Sequence, residues 1–138
     1  MSGPFIFIGT SKIREGKLEE CKQRLQELVD LVETNEPRLI AFNLYLDEKG
    51  SRLSAIQVHP DAESMEYHMK VVSEHLSNAF EFLESTESQQ VYGQPTPALA
   101  QMLSNYDANV AATFMPVYEG GFTRTNTRWQ VAAEKAQP

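Results

Sequence analysis

The 138-residue sequence predicts an α+β fold, a ferredoxin-like antiparallel sheet with two helices on one face. Three observations carry this expectation. Strand-like and helix-like segments follow one another in the order β-α-β-β-α-β; two long segments repeat apolar residues every three or four positions; and the strands are apolar on both faces. Two helices cover only one face of such a sheet, so the other needs a cover of its own. A second copy, sheet against sheet, supplies one by the commonest oligomer symmetry, and a homodimer is expected. The C-terminal helix and strand are the alternative cover.

Phe5 to Lys12 is rich in aromatic and β-branched residues and contains polar Thr10-Ser11, as a first strand would. From Lys17 to Asn35, Leu18, Cys21, Leu25, Leu28, Val29 and Val32 recur at helical steps between charged positions, giving an amphipathic helix that Pro37 closes. Arg38–Leu46 and Arg52–His59 read as two strands joined by Asp47-Glu48-Lys49-Gly50. That loop length pairs Leu46 with Ser51, Leu44 with Leu53 and Phe42 with Ala55. It places Asn43, Tyr45 and Ser54 as polar positions on an otherwise apolar face.

Pro60-Asp61 opens a second helix with Asp61 as N-cap, and its stripe runs Ala62, Met65, Met69, Val72, Leu76, Ala79, Leu83. Gln89–Gly93 is expected as a fourth strand. Thr96-Pro97 caps a short helix with Leu99, Met102, Leu103 and Tyr106 inward, and Asn109–Tyr118 reads as a fifth strand. Residues 1–120 then form a single domain that includes this extension, and 121–138 form a C-terminal arm. Arg124, Arg128 and Trp129 in the arm could clamp an anion or a partner subunit, but a docking tail is the simpler reading.

Composition narrows the partners. The chain is 41% hydrophobic and 22% charged, close to globular averages, with a formal net charge of −7. From Asp61 to Glu119, Lys70 is the one base among nine acids, a field that repels polyanions, so no nucleic acid is expected. A single cysteine, Cys21, excludes an internal disulfide framework and falls on the first helix's apolar stripe, as a buried small hydrophobe would. The longest apolar runs are far short of a membrane span, and the start lacks the basic region of a signal peptide. No membrane partner and a cytoplasmic location are expected.

Two segments carry a family resemblance. Ile8-Gly9-Thr10-Ser11-Lys12-Ile13-Arg14-Glu15-Gly16-Lys17 resembles the entry to the first helix in the antibiotic biosynthesis monooxygenase-like proteins, which are small dimeric α+β barrels. Ser54 to His68 resembles that family's strand, helix start and helical histidine. The resemblance covers residues 5–93 and bears on fold more than on activity. It implies a cofactor-independent monooxygenase acting on a small aromatic phenol, as the family's quinone-forming members oxidise electron-rich polycyclic phenols with O₂ and no bound metal or flavin. Haem-degrading relatives use an Asn on the first strand and a Trp near the second helix. Phe5 to Thr10 holds no Asn and the sole Trp is Trp129, so haem degradation is not expected.

His68 and His75, seven residues apart, form a second stripe about 100° from the apolar one, at the edge where a helix–sheet pocket opens. An imidazole there, with an ordinary pKa of about 6.5, suits a general base for a phenolic proton, which makes His68 the catalytic candidate. His75, Asn43, Tyr45 and Ser54 are the candidates for orienting an aromatic ligand in an apolar cavity. Helical zinc pairs sit three or four residues apart, and His59 stands at a strand end out of register, so no metal site is expected. Two other readings fit the same fold: a non-enzymatic ligand-binding or interaction protein, and a cofactor-free isomerase.

Overall fold

The computed structural model describes residues 3–107 and 109–124. Its elements are β1 (Phe5–Ile13), α1 (Leu18–Asn35), β2 (Ala41–Leu46), β3 (Arg52–His59), α2 (Ala62–Leu76), β4 (Leu83–Tyr92), α3 (Pro97–Tyr106) and β5 (Thr113–Met115). The sheet runs β2-β3-β1-β4-β5, antiparallel except for the parallel pair β4–β5. The first four strands and two helices make the expected ferredoxin-like layer. No helix among the described residues is long and apolar enough to cross a membrane. Arg128, Trp129 and the rest of the expected arm from residue 125 lie outside the described residues.

Helix and sheet meet through the stripes the sequence spaces out. Cys21, Leu25, Leu28 and Val32 of α1 are buried, as are Met65 and Val72 of α2. They pack over the β1 and β3 face that carries Phe5, Phe7 and Leu53. The extension lies on the same side: Leu99 and Leu103 of α3 join Phe5, Phe7, Met65 and Val91 in one cluster. α3 therefore does not cover the second sheet face. There Ile6, Ile8, Ile56 and Val58 stay half-buried, turned away from the helices.

Four expectations change in detail. The β2–β3 register is Leu46 with Leu53, Leu44 with Ala55 and Phe42 with Gln57, two residues on from the predicted pairing. The Asp47 carboxylate accepts from the Ser51 and Arg52 amides at 2.7 and 3.0 Å and from the Ser51 hydroxyl, which keeps Ser51 in the turn and leaves Arg52 to open β3. A shift of two keeps every side chain on its own face. α2 ends at Leu76, with Ser77 and Asn78, poor helix formers, following it. Ala79 and Leu83 are buried as expected, but in a 3₁₀ turn (Ala79–Glu81) and at the start of β4. β4 begins six residues before the predicted Gln89, and β5 spans only Thr113–Met115 of the predicted Asn109–Tyr118. Register shifts against β1 bury Leu83, Thr86, Gln89 and Val91 at steps of three, three and two, which hides the strand's alternation.

The start of α2 is fastened from outside the helix. Asp61 accepts from the Ser64 amide at 2.9 Å and pairs with Arg38. Partial burial works against the Asp61 carboxylate, but Arg38 and the Ser64 amide outweigh it and hold its carboxyl below the usual range. Asp61→Ala is expected to cost about 1 kcal/mol, the ordinary value of an N-cap, with Asp61→Asn recovering most of it. Urea unfolding measures this, and an unchanged midpoint for Asp61→Ala would refute the cap's contribution.

Candidate functional site

The site begins where β3 ends and α2 begins. His59, the last residue of β3, is fully buried and uses both ring nitrogens: Nδ1 lies 2.8 Å from the Ser64 hydroxyl and Nε2 3.0 Å from Gln57 Oε1. Burial first, and then the neighbouring His68, push its pKa down to about 3, so the ring is neutral at physiological pH. A neutral ring fits both partners when Nδ1 accepts from the Ser64 hydroxyl and Nε2–H donates to the Gln57 carbonyl. This bond ties the first turn of α2 to the sheet.

One turn further along α2, His68 is 3% exposed and donates from Nδ1 to the Glu36 carboxylate, 2.8 Å from Oε2 and 3.0 Å from Oε1. Glu36 caps the end of α1 and is itself buried. Two ionisable groups removed from water are stable there only as a pair, since either alone would be left uncompensated. The ring is held on its flanks by Phe42, at 5.4 Å between centroids, and by His59, at 5.8 Å. With Nδ1 committed to Glu36, Nε2 is the nitrogen left for a ligand.

His68 lines a cavity of about 100 Å³ between the helices and the sheet. Its walls are mainly apolar, with Phe7, Phe42, Leu28 and Met65 among them. Benzene occupies an engineered cavity of about 150 Å³, so at two-thirds of that volume this space admits at most one small ring or a short chain. The polar groups that reach the cavity include His75, Gln57, Gln89, Thr86 and Arg24. Gln89 is 1% exposed, and neither its Oε1 nor its Nε2 has a hydrogen-bond partner among the described residues. Such an amide costs about 1–3 kcal/mol for each group left unmet. Arg24 Nε is likewise without a hydrogen bond among the described residues, and the guanidinium's ion pair with Glu27 is long, at 3.9 Å. At the α3 side, burial and then Asp107 push the Tyr106 phenol upward, which keeps it a neutral donor.

Among the sequence candidates, the structure brings His68 and His75 to this cavity. It places Asn43, Tyr45 and Ser54 on the opposite face of the sheet. Asn43 and Tyr45 are exposed there, and Ser54 bonds Thr10 Oγ1 at 2.8 Å across the strands. The reason is local. The Leu39 amide turns back onto the Glu36 carbonyl and regular pairing starts only near Ala41, so Leu39 does not continue the β2 alternation. Phe42 and Leu44, not Asn43 and Tyr45, then face the helices. His59 also departs from expectation, standing beside His68 rather than apart from it. No three or more of His, Cys, Asp and Glu converge in metal-binding geometry among the described residues. Cys21 is fully buried in the core, which pushes its thiol up to about 11 and makes it a poor nucleophile.

Glu36, Gln57, Ser64 and Gln89 were not singled out by sequence reasoning. Gln57 and His59 share the parity of Leu53 and Ala55 on β3, a signal that was there to use. Gln89 shares the parity of Val91, but the β4 irregularity conceals it. Glu36 carries no such sign, since an acid before a proline at a helix end reads as solvent-facing.

No protein-family model and no curated protein matches the chain. Solved structures do. MupZ from Pseudomonas fluorescens aligns with a TM-score of 0.71 at 18% identity, over 92% of this chain and 94% of that one. An antibiotic biosynthesis monooxygenase aligns at 0.53 and 18% identity, over 63% and 92%. A conserved protein from Methanosarcina mazei Go1 aligns at 0.58 and 17% identity, over 64% and 90%. The shared property is the fold, that of the antibiotic biosynthesis monooxygenase-like proteins. The likeness to MupZ covers so much of the chain that it must take in part of the extension beyond β4.

Proposed function

We propose that this chain, built on the antibiotic biosynthesis monooxygenase fold, is an acid–base enzyme that oxidises a small phenol with O₂ and no bound cofactor. The observation that carries the reading is the buried His68–Glu36 pair opening on an apolar cavity of single-ring size. His68 Nε2 takes the phenolic proton, and the Glu36 carboxylate stabilises the imidazolium that results. The phenolate donates electrons from a ring carbon to O₂, forming a C–O bond. The O–O bond then breaks, the ring carbon loses its hydrogen to become a second carbonyl, and one oxygen atom leaves as water carrying the proton held by His68. Phenol and O₂ thus give quinone and water, with the substrate as the four-electron donor.

The apolar walls exclude water and strengthen the pair's electrostatics. The half-buried residues on the opposite sheet face support a second copy of the chain as partner, sheet against sheet. His75 is placed to border the ring, and Asn43, Tyr45 and Ser54 fall to that dimer face.

The test is conversion of a panel of single-ring phenols with oxygen electrode and product detection, run in air and under argon. Quinone formed with stoichiometric O₂ uptake is expected. Conversion that proceeds equally under argon would replace the oxygenase by an isomerase. Binding without conversion in either gas would make the chain a ligand-binding protein of the same fold.

A further inference from the structure

Gln89 is a polar side chain of this cavity whose role the proposed chemistry leaves open, and the one there with both donor and acceptor unmet among the described residues. It lies on β4 directly beside Gly9 of β1, on the face toward the helices. The Phe7 ring packs over Gly9, so closely that a Cβ there would lie 2.9 Å from it. The carboxamide of Gln89 is 1% exposed, with donor and acceptor both unused among the described residues. Other buried polar side chains of the site are used within the protein: Gln57 by His59, Ser64 by His59, Glu36 by His68. A glutamine held in an apolar wall with both ends free is matched by a ligand edge that offers one acceptor and one donor side by side.

The geometry points to Gln89 as the specificity-determining residue of the cavity. It would read a planar edge carrying a hydrogen-bond donor next to an acceptor, as in a lactam or its hydroxy-heteroaromatic form. Gln89 Nε2 donates to the ring carbonyl, and Gln89 Oε1 accepts from the neighbouring N–H. The inference rests on the cavity being the ligand site proposed above, and it narrows the substrate to a single hydroxylated or oxo ring with such an edge. Two parallel bonds to one rigid amide also fix the ring's rotation, which a single histidine contact does not.

The experiment is calorimetric titration of the full chain with 2-pyridone and with N-methyl-2-pyridone, which lacks the donor. The wild-type protein is expected to prefer 2-pyridone by about 10–100-fold, the effect of leaving a buried hydrogen-bonding pair unmade. In Gln89→Leu, which keeps the side chain's bulk, that preference should collapse to within about threefold, whereas a steric objection to the methyl group would persist. Gln89→Leu without ligand should melt at or above the wild-type temperature, because it removes unmet polar atoms; Gln89→Met provides a second variant for the same comparison. A preference that survives both substitutions, equal binding of the two rings by wild type, or binding of neither would overturn the inference. The two proposals fail separately. Gln89-dependent preference with no turnover of any phenol removes the oxygenase reading alone, and His68-dependent turnover without ring preference removes the Gln89 reading alone.

Discussion

His68→Gln is expected to lower turnover of the proposed phenolic substrate by about 10²–10⁴-fold, or roughly 3–5 kcal/mol of transition-state stabilisation, the usual share of a positioned acid–base group. Glutamine is the informative replacement. Its amide can still donate to the Glu36 carboxylate, so the buried acid is not left alone, while the titrating nitrogen is gone. Glu36→Gln tests the other half of the pair. A neutral amide no longer stabilises an imidazolium at His68 and can offer an N–H in place of the acceptor, which disfavours the tautomer with Nε2 free. Turnover should fall here too, and the double variant should lose little more than His68→Gln alone, because the two groups act as a unit. The check is kcat and KM for all three variants beside their melting temperatures. Wild-type turnover in a folded His68→Gln protein would remove the histidine from the chemistry.

Acid should destabilise the fold through His59. In the native state burial and His68 hold its pKa near 3, whereas in the unfolded chain it returns to about 6.5. Between those values the unfolded state binds the extra proton, so this stabilising contribution is complete above pH 6.5 and is lost as pH falls toward 3. The slope approaches about 1.4 kcal/mol per pH unit, which amounts to roughly 3 kcal/mol between pH 6.5 and 4. His59→Gln has no ring to protonate, so the stability difference between wild type and variant should shrink across that window. Urea titrations at half-unit steps from pH 7 to 4 read this directly. A difference that stays flat would mean the buried ring is protonated as readily as an exposed one.

Much of this architecture was legible because it depends on local periodicity. The stripes of α1 and α2, the Asp61 and Thr96 caps and the order of strands follow from spacings of two, three and four. His68 could be found for the same reason, since a stripe 100° from the core is where a helix meets a pocket. What escaped is long-range or irregular. Glu36 meets His68 across 32 residues of sequence, a pairing no local pattern encodes. Gln89 is hidden by the register shifts of β4. The face of Asn43 and Tyr45 could not be chosen from sequence because the strand is apolar on both faces, and the structure turns Phe42 and Leu44 toward the helices instead.

The fastening of α2 has a mechanical consequence. Its first half is tied to other elements at Asp61, Ser64 and His68. Beyond Val72, the side-chain hydrogen bonds of Ser73 and Ser77 go only to the helix's own carbonyls. The helix is thus held by directed polar bonds in its first half and by apolar packing, through Val72 and Leu76, toward its end, and it borders the cavity at both His68 and Leu76. The two halves of one helix therefore depend on different forces, so a change that loosens the apolar half need not disturb the alignment of the His68–Glu36 pair.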